Sequence, residues 1–251
     1  PSVAAVRTFE TLQVGAGKIL KDVDYQFAYQ GAASTEKRVA GVRLPREAWP
    51  AGWETRFSEK DPPVTMIRGS LYGRVRAGDD FNSEADEAMK SIGFEPLSDV
   101  EPCAYILPSE RVADMHMAAN VMRGETCEPI IDDPPKNESR VPDGALRYAD
   151  DSRFAFSSPE VEQTVLTLLE TKFMIGSLKD SNGEKYVGVK LHWNIEHIKN
   201  EKGEDDVLTH LFWEQSDLTA KYVEEFKQVL KERTNRDLKK RKTPAPATDV
   251  P

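Results

Sequence analysis

Residues 173–213 decide the fold, and they read FMIGSLKDSNGEKYVGVKLHWNIEHIKNEKGEDDVLTHLFW. Apolar and polar residues alternate through the middle of this stretch, with Val187, Val189, Leu191, Trp193 and Ile195 on one face. A period of two is typical of a β-strand that buries one face and exposes the other. Asn182-Gly183 and Lys202-Gly203 supply turn residues, so we predict an antiparallel meander of three strands over 173–179, 186–197 and 207–213.

Amphipathic helices are predicted on both sides of this meander. Ser157 and Glu160 have the spacing of a capping box, and apolar residues follow at helical spacing, which indicates a helix over 158–172. After Trp213, Ser216 is predicted to cap a second helix. The buried stripe of that helix is predicted to consist of Leu218, Tyr222, Phe226, Val229 and Leu230.

The chain as a whole is predicted to have an α+β fold, with a β-rich N-terminal part and a C-terminal α-β-β-β-α unit that contains the antiparallel meander. The first part, 1–128, is predicted to hold strands near 3–14, 23–29, 39–44 and 64–75 and helices near 82–92 and 109–123. The segment 129–157 is rich in proline and aspartate, which favours a linker or a surface loop. The second unit, 158–242, ends in a basic helix and is followed by a tail, 243–251.

Composition limits the classes of protein to consider. No apolar run approaches the roughly 18 to 20 residues needed to cross a bilayer, so no membrane contact is expected. The only two cysteines, Cys103 and Cys127, favour a reducing compartment over a disulfide framework. We therefore expect an intracellular protein of the cytoplasm or nucleus, or a component of a virion.

Charge is distributed unevenly along the chain. Residues 227–242 include eight basic residues and two acidic ones. Because the whole chain carries −9 and this segment carries +6, the rest of the chain carries −15. We refer to 231–242 as the basic segment, and its candidate binding residues are Lys231, Arg233, Arg236, Lys239, Lys240, Arg241 and Lys242.

The basic segment has three interpretations. It can bind nucleic-acid phosphates, act as a nuclear-import cluster, or contact an acidic protein surface. The acidic remainder of a second copy is one such surface, and that contact would run head to tail, which generates rings or filaments.

Two stretches resemble ligand-binding motifs but lack required residues. A phosphate-binding loop at Gly15-Ala16-Gly17-Lys18 would need glycine and Ser or Thr where Leu12 and Ile19 stand, so we predict a glycine turn between two strands. The alternating residues Asp80, Asn82, Glu84 and Asp86 resemble a calcium loop, but Ala85 and Ser91 occupy its essential glycine and glutamate positions. We predict a helix start there, with Asn82 or Ser83 as its cap, and we expect no metal or cofactor.

Catalytic residue types concentrate on the predicted meander, at His192, Glu196, His197 and His210. His192 and His197 would face opposite sides of a strand, which does not suit a zinc site. His192, Asn194 and Glu196 share the polar face, and His210 is predicted to lie opposite Asn194 or Ile195. An acid-base pair is therefore geometrically possible, although an exposed polar strand face is the simpler interpretation. Elsewhere, Met115, Met117 and Met122 are predicted to fill the core.

These observations favour a non-enzymatic binding or assembly protein over an enzyme. We expect a homo-oligomer or a structural subunit of a larger complex or viral particle, in which the basic segment contacts a partner. Nucleic-acid binding through the same segment is the alternative. A hydrolytic enzyme that uses His192 and Glu196 is the third hypothesis.

Overall fold

The computed structural model of the protein describes residues 1–33, 40–67, 69–70, 73–98, 101–124, 141–200, 203 and 205–234. Among these residues the helices are α1 (Val3–Gly15), α2 (Ala28–Gly31), α3 (Ala77–Ser91), α4 (Ser109–Arg123), α5 (Pro159–Glu170) and α6 (Ser216–Thr234). The strands are β1 (Ile19–Gln26), β2 (Ala40–Arg43), β3 (Val64–Ile67), β4 (Glu95–Pro96), β5 (Ala104–Leu107), β6 (Asp143–Tyr148), β7 (Asp151–Phe156), β8 (Met174–Asp180), β9 (Lys185–Tyr186), β10 (Val189–Lys199) and β11 (Asp205–Glu214). Helices and antiparallel sheets therefore occur together, which confirms the predicted α+β class.

A six-stranded antiparallel sheet forms the centre of the molecule, with strand order β4-β5-β6-β7-β1-β8. Strand β1, from the start of the chain, lies between β7 and β8, which come from its second half. The sheet thus joins residues from both of the segments that the sequence suggested as domains. A second sheet has the order β11-β10-β9, and β2 and β3 form a separate pair.

Two strands, β6 and β7, lie in the described part of the segment 129–157, which the sequence predicted as a linker or a surface loop; residues 129–140 lie outside the described residues. Strands β6 and β7 pair through a two-residue turn in which Ala149 has a positive φ of 53°. Their composition suggested a loop because the segment is rich in proline and aspartate and shows little periodicity. Asp143, Arg147 and Arg153 of these strands are buried in ion pairs, so their polarity does not mark exposure.

The observed strand pairing also differs from that of the predicted meander. The strands occur near the predicted positions, but β8 pairs with β1 in the six-stranded sheet. Strand β10 pairs instead with β11 and with the two-residue strand β9. The difference arises because β1, which lies more than a hundred residues earlier, offers β8 a long partner.

The N-terminal segment forms helix α1, where we predicted a strand. The Ser2 side chain accepts a hydrogen bond from the Ala5 amide at 3.1 Å and caps the helix. The buried residues Val6, Glu10, Gln13 and Val14 follow at helical spacing. Gly17, with φ of 71°, then leads from α1 into β1, so this glycine turn joins a helix to a strand.

Two helix starts differ from the predicted ones. Ser158, not Ser157, caps α5 by accepting a hydrogen bond from the Val161 amide at 3.3 Å. Ser157 instead donates to Asp143 Oδ2 at 2.9 Å, and Lys18 Nζ lies 2.6 Å from Asp143 Oδ1. Helix α3 begins at Ala77, so the carboxylates that resemble a calcium loop lie within the helix.

The six-stranded sheet is covered on both faces. Side chains such as Phe154 and Phe156 point toward α3, α4 and α5 and form the main hydrophobic core with them. On the opposite face, Leu20 and Ala155 contact residues of β10 and β11 together with Val14 of α1. The body of the molecule therefore has three layers, with α3–α5 on one side and α1 with the smaller sheet on the other.

Arg153 of β7 lies between the sheet and α1 and is completely buried, with 0 % of its surface exposed. Its Nε and Nη2 atoms donate to the two carboxylate oxygens of Asp22 at 2.6 and 2.7 Å. Its Nη1 atom donates to Glu10 of α1, and the guanidinium carbon lies 4.8 Å from the centre of the Tyr186 ring. A buried cation without partners would be very unfavourable, so these contacts fix the spacing of the layers.

The same network also holds the smaller sheet. The indole nitrogen of Trp213 in β11 donates to Glu10 Oε2 at 2.6 Å. Ser181, at the end of β8, donates to Asp22 Oδ1 at 2.7 Å. One arginine thus connects α1, β1, β7, β9 and β11 through its two carboxylate partners and its aromatic neighbour.

A second buried arginine stabilises the helical face. Arg147 of β6 donates to Asn82 Oδ1 at 2.6 Å and to Asp86 Oδ1 at 2.8 Å, both on α3. Tyr105 donates to the same Asp86 carboxylate. Burial, and then the hydrogen bond to Asp86, raise the pKa of Tyr105 to about 12.

We expect Arg153→Met to lower the free energy of unfolding by about 3–5 kcal/mol, because it leaves two carboxylates without their buried cation. Arg46→Met is the control, since Arg46 pairs with Glu59 and both side chains are mostly exposed. The control should cost less than about 1 kcal/mol. Chemical denaturation followed by tryptophan fluorescence measures both, and equal losses would contradict the role given to Arg153.

Glu10→Gln should change how stability depends on pH. Burial raises the pKa of Glu10 above 4.5, although the nearby Arg153 partly offsets this. The folded state therefore binds the proton more tightly, and wild-type stability falls as pH rises from the ordinary pKa through the raised one. Since glutamine does not titrate, the stability of the variant relative to wild type should increase as pH rises from about 4 through the raised pKa of Glu10. A difference that is constant with pH would exclude this titration.

Candidate functional site

Strands β10 and β11 form a long hairpin that is buried only at its base. Leu191 is 0 % exposed, and Trp193, Leu211 and Trp213 pack against the core residues of α1 and the main sheet. Beyond Trp193 both faces of the hairpin are exposed, including Ile195, Val207 and Leu208. The alternating pattern predicted that Ile195 would be buried, and this is wrong because α1 and the main sheet contact only the base of the hairpin.

The candidate catalytic residues lie on this hairpin. Asn194 is opposite His210, as predicted. Glu196 Oε2 lies 3.4 Å from His210 Nε2, and Glu214 Oε2 lies 3.3 Å from His192 Nε2. His192 and Glu196 are four residues apart on one strand, a distance of about 13 Å, so they do not contact each other. His197 is exposed elsewhere on β10.

These two pairs have the properties of surface ion pairs. All four side chains are between 42 % and 58 % exposed. Pairs of this kind contribute at most about 1 kcal/mol and leave both groups in contact with water. The arrangement can hold the two strands in register, and it lacks the enclosure that acid-base catalysis ordinarily uses.

Helix α6 exposes its apolar residues. Tyr222, Val223, Phe226 and Val229 are between 43 % and 60 % exposed, and we call these four residues the α6 stripe. Tyr222, Phe226 and Val229 have i, i+4, i+7 spacing and therefore lie on one face of the helix. The sequence predicted that this face would be buried, and for these residues that is wrong. The side chains of Leu218 and Leu230 lie outside the described part of the structure.

The helix is connected to the body by a short link. Strand β11 ends at Glu214 and α6 begins at Ser216, so only Gln215 separates them. Ion pairs on the helix surface, Lys221 with Glu225 and Lys227 with Glu224, support the helix itself. We use the term C-terminal arm for the exposed part of the hairpin, α6 and the basic segment together.

Little of the basic segment is described. Lys231 is exposed on α6, and Arg233 belongs to the same helix although its side chain is not described. The remaining candidate binding residues lie outside the described residues: Arg236, Lys239, Lys240, Arg241 and Lys242. Their role stays a prediction from the sequence.

A groove opens on the helical face of the body, on the opposite side of the main sheet from the hairpin base. It has a volume of about 680 Å³ and lies between the end of α3, β4, α4 and the end of α5. Its apolar lining includes Ile92, Phe94, Met115, Ala118, Met122 and Leu168. Charged residues surround this lining, three of them basic (Lys90, Arg111 and Lys172) and two acidic (Glu95 and Asp114).

Helix α4 carries exposed apolar residues beside this groove. Met115 is buried and fills the core, as predicted. Met117 and Met122 are about half exposed, so the prediction that they also fill the core is wrong. Val121, between them, is 68 % exposed. Flexible methionine side chains on a surface adapt to apolar partners, which gives this part of α4 the properties of a docking surface.

The layer formed by α3, α4 and α5 is acidic. These helices contain ten Asp and Glu residues and three Lys and Arg residues. On α5 the charged residues are all acidic, at Glu160, Glu162 and Glu170. This layer therefore has the opposite charge to the basic segment.

One further polar contact joins two helices of the body. His116 Nδ1 lies 2.6 Å from Thr164 Oγ1, which links α4 to α5, and burial lowers the pKa of His116.

Across the described ranges, no group of three or more His, Cys, Asp or Glu side chains is placed to hold a metal ion. None of the described helices combines the length and the apolar character needed to span a membrane.

Comparison with protein-family models and with curated proteins finds no match to this chain.

We expect the α6 stripe to contribute little to the stability of a single molecule. Phe226→Ala should change the free energy of unfolding by less than about 0.5 kcal/mol, because the side chain is already exposed. Phe156→Ala should cost about 3–5 kcal/mol, since Phe156 is fully buried. Both are measured by denaturation at low protein concentration, where association does not add to stability. A large loss for Phe226→Ala would mean that α6 packs against its own body.

Proposed function

We propose that this protein is a non-enzymatic assembly protein that uses its C-terminal arm to bind another protein in a larger complex. The observation that carries the proposal is the exposure of the α6 stripe, whose residues have the spacing of a buried helix face. Exposed apolar side chains that form one contiguous face characteristically mark interaction sites. The charge of the arm favours one kind of partner, as argued below.

The way in which the arm is held supports this proposal. Trp213, at the base of the hairpin, is bonded to buried Glu10, and only one residue separates β11 from α6. The single-residue link therefore sets where the helix begins relative to the body, while the α6 stripe stays uncovered. A short link of this kind allows the helix fewer orientations than a long flexible one, so binding costs less conformational entropy.

Charge favours a partner that is itself acidic. The segment 227–242 carries +6, while the rest of this chain carries −15. A second copy of the same chain offers a surface of the required sign. We therefore propose self-association as the primary activity of the arm.

Nucleic-acid binding is the second candidate, and the same eight basic residues favour it. Phosphate contacts by lysine and arginine give affinity without requiring a particular sequence. The arm lacks the aromatic residues within its basic segment that single-strand binders use for base stacking. This makes a protein partner the better-supported choice.

We expect the intact protein to form oligomers at micromolar concentration, and Phe226→Ala with Val229→Ala to shift it to monomer, because both remove exposed apolar surface. Light scattering coupled to size-exclusion chromatography measures this. Glu224→Gln with Lys227→Gln is the matched control, since it changes the same helix away from the stripe. A wild-type protein that stays monomeric at low and high salt would overturn the proposal of self-association.

The nucleic-acid candidate has a separate test. Replacing Lys239, Lys240, Arg241 and Lys242 by glutamine should weaken binding to a duplex or single strand. It should also reduce the salt dependence of binding by about one unit of slope for each phosphate that the segment no longer neutralises. Fluorescence anisotropy at two salt concentrations measures both quantities. Binding that is absent, or unchanged by these substitutions, excludes this role for the basic segment.

A further inference from the structure

We propose that the groove between α4 and α5 is the site that receives the α6 stripe of a second copy of this chain. This inference rests on the proposed self-association and specifies its geometry. It identifies a donor surface, the α6 stripe, and a different acceptor surface, the groove with the exposed methionines beside it. Contact between two different surfaces of identical chains is a heterologous interface.

The groove of the same molecule is not occupied by its own α6. The hairpin base packs on the face of the main sheet that carries α1, whereas the groove lies on the face that carries α3, α4 and α5. Gln215 alone links β11 to α6. In the structure described, Tyr222, Phe226 and Val229 are exposed, so the groove of the same molecule does not cover them.

The spacing of the stripe and the lining of the groove suit each other. An amphipathic helix binds a groove through apolar residues at i, i+4 and i+7, which is the spacing of Tyr222, Phe226 and Val229. The groove, of about 680 Å³, has an apolar lining from Met115, Met122 and Leu168. This volume lies within the range of about 300–1,000 Å³ that is typical of binding pockets.

The charges correspond as well. Helical spacing places Glu225 and Glu232 along one edge of the α6 stripe. The groove edge carries three basic residues, Lys90, Arg111 and Lys172, and two acidic ones, Glu95 and Asp114, so its net charge is positive. Beyond α6 the chain continues into the basic residues 236–242, and α5, beside the groove, is purely acidic in its charged residues. Complementary charge at both places favours this pairing over an α6 helix packed against another α6.

A head-to-tail contact of this kind leaves one free groove and one free helix at the ends of every chain of molecules. It therefore produces closed rings or open filaments, and it does not stop at a dimer. This property permits a test by complementation. A molecule with a blocked groove and a molecule with a defective helix can still join to each other once.

The test uses two variants and their mixture. Ala118→Trp fills the groove from an exposed position of α4, and Ala113→Trp adds the same side chain at an exposed position of α4 outside the groove lining. We expect Ala118→Trp to weaken self-association at least about tenfold and Ala113→Trp to leave it unchanged. Mixing Ala118→Trp with Phe226→Ala should give a one-to-one heterodimer by light scattering, although each variant alone stays monomeric.

The outcomes separate this inference from the function on which it depends. A wild-type protein that does not associate overturns both. If wild type associates and Phe226→Ala does not, but Ala118→Trp still forms oligomers, the function stands and the groove is excluded as the acceptor. A mixture that contains only monomers also excludes it, provided that circular dichroism shows Ala118→Trp to be folded. If that variant is unfolded, Arg111→Glu, which reverses charge at the groove edge, replaces it with the same expected results.

Discussion

The buried guanidinium group of Arg153 is the constraint on which the rest of the structure depends. A cation with no access to water requires partners from the protein, and here they come from α1 and β1. Glu10 then has an oxygen left for the indole of Trp213, so the position of the hairpin follows from the position of the arginine. The layers cannot slide past one another without separating charges in a medium of low dielectric constant.

Local periodicity predicted the helices and strands that bury one face and expose the other. Helices α3, α4 and α5 and the strands near 23–29, 39–44 and 186–213 occur close to where the sequence placed them. The failures have physical causes beyond local pattern. Strands β6 and β7 were not predicted because their arginines are neutralised by carboxylates that are distant in the sequence. Helix α1 was predicted as a strand because of its valine residues, although Ser2 caps it as a helix. The pairing of β8 with β1 depends on a contact across the whole chain, which no local pattern encodes.

The candidate site was predictable in part. The amphipathic pattern of α6 and the charge asymmetry are both visible in the sequence, and they indicated a contact with a partner. The pattern alone does not distinguish a face buried within one molecule from a face buried between two molecules. That distinction required the exposed fractions of Tyr222 and Phe226. The groove could not be predicted because its lining comes from three helices and β4, whose arrangement is set by tertiary packing.

The single-residue link at Gln215 determines the direction of the α6 stripe. Each residue of an α-helix turns the next by about 100°, so adding or removing one residue in the first turn after this link would rotate the whole stripe by about that angle relative to β11. Apolar surface, charge and helix stability would all be unchanged, yet the stripe would face a different direction relative to the body. The number of residues between β11 and the stripe, rather than their identity, therefore determines which way the stripe faces.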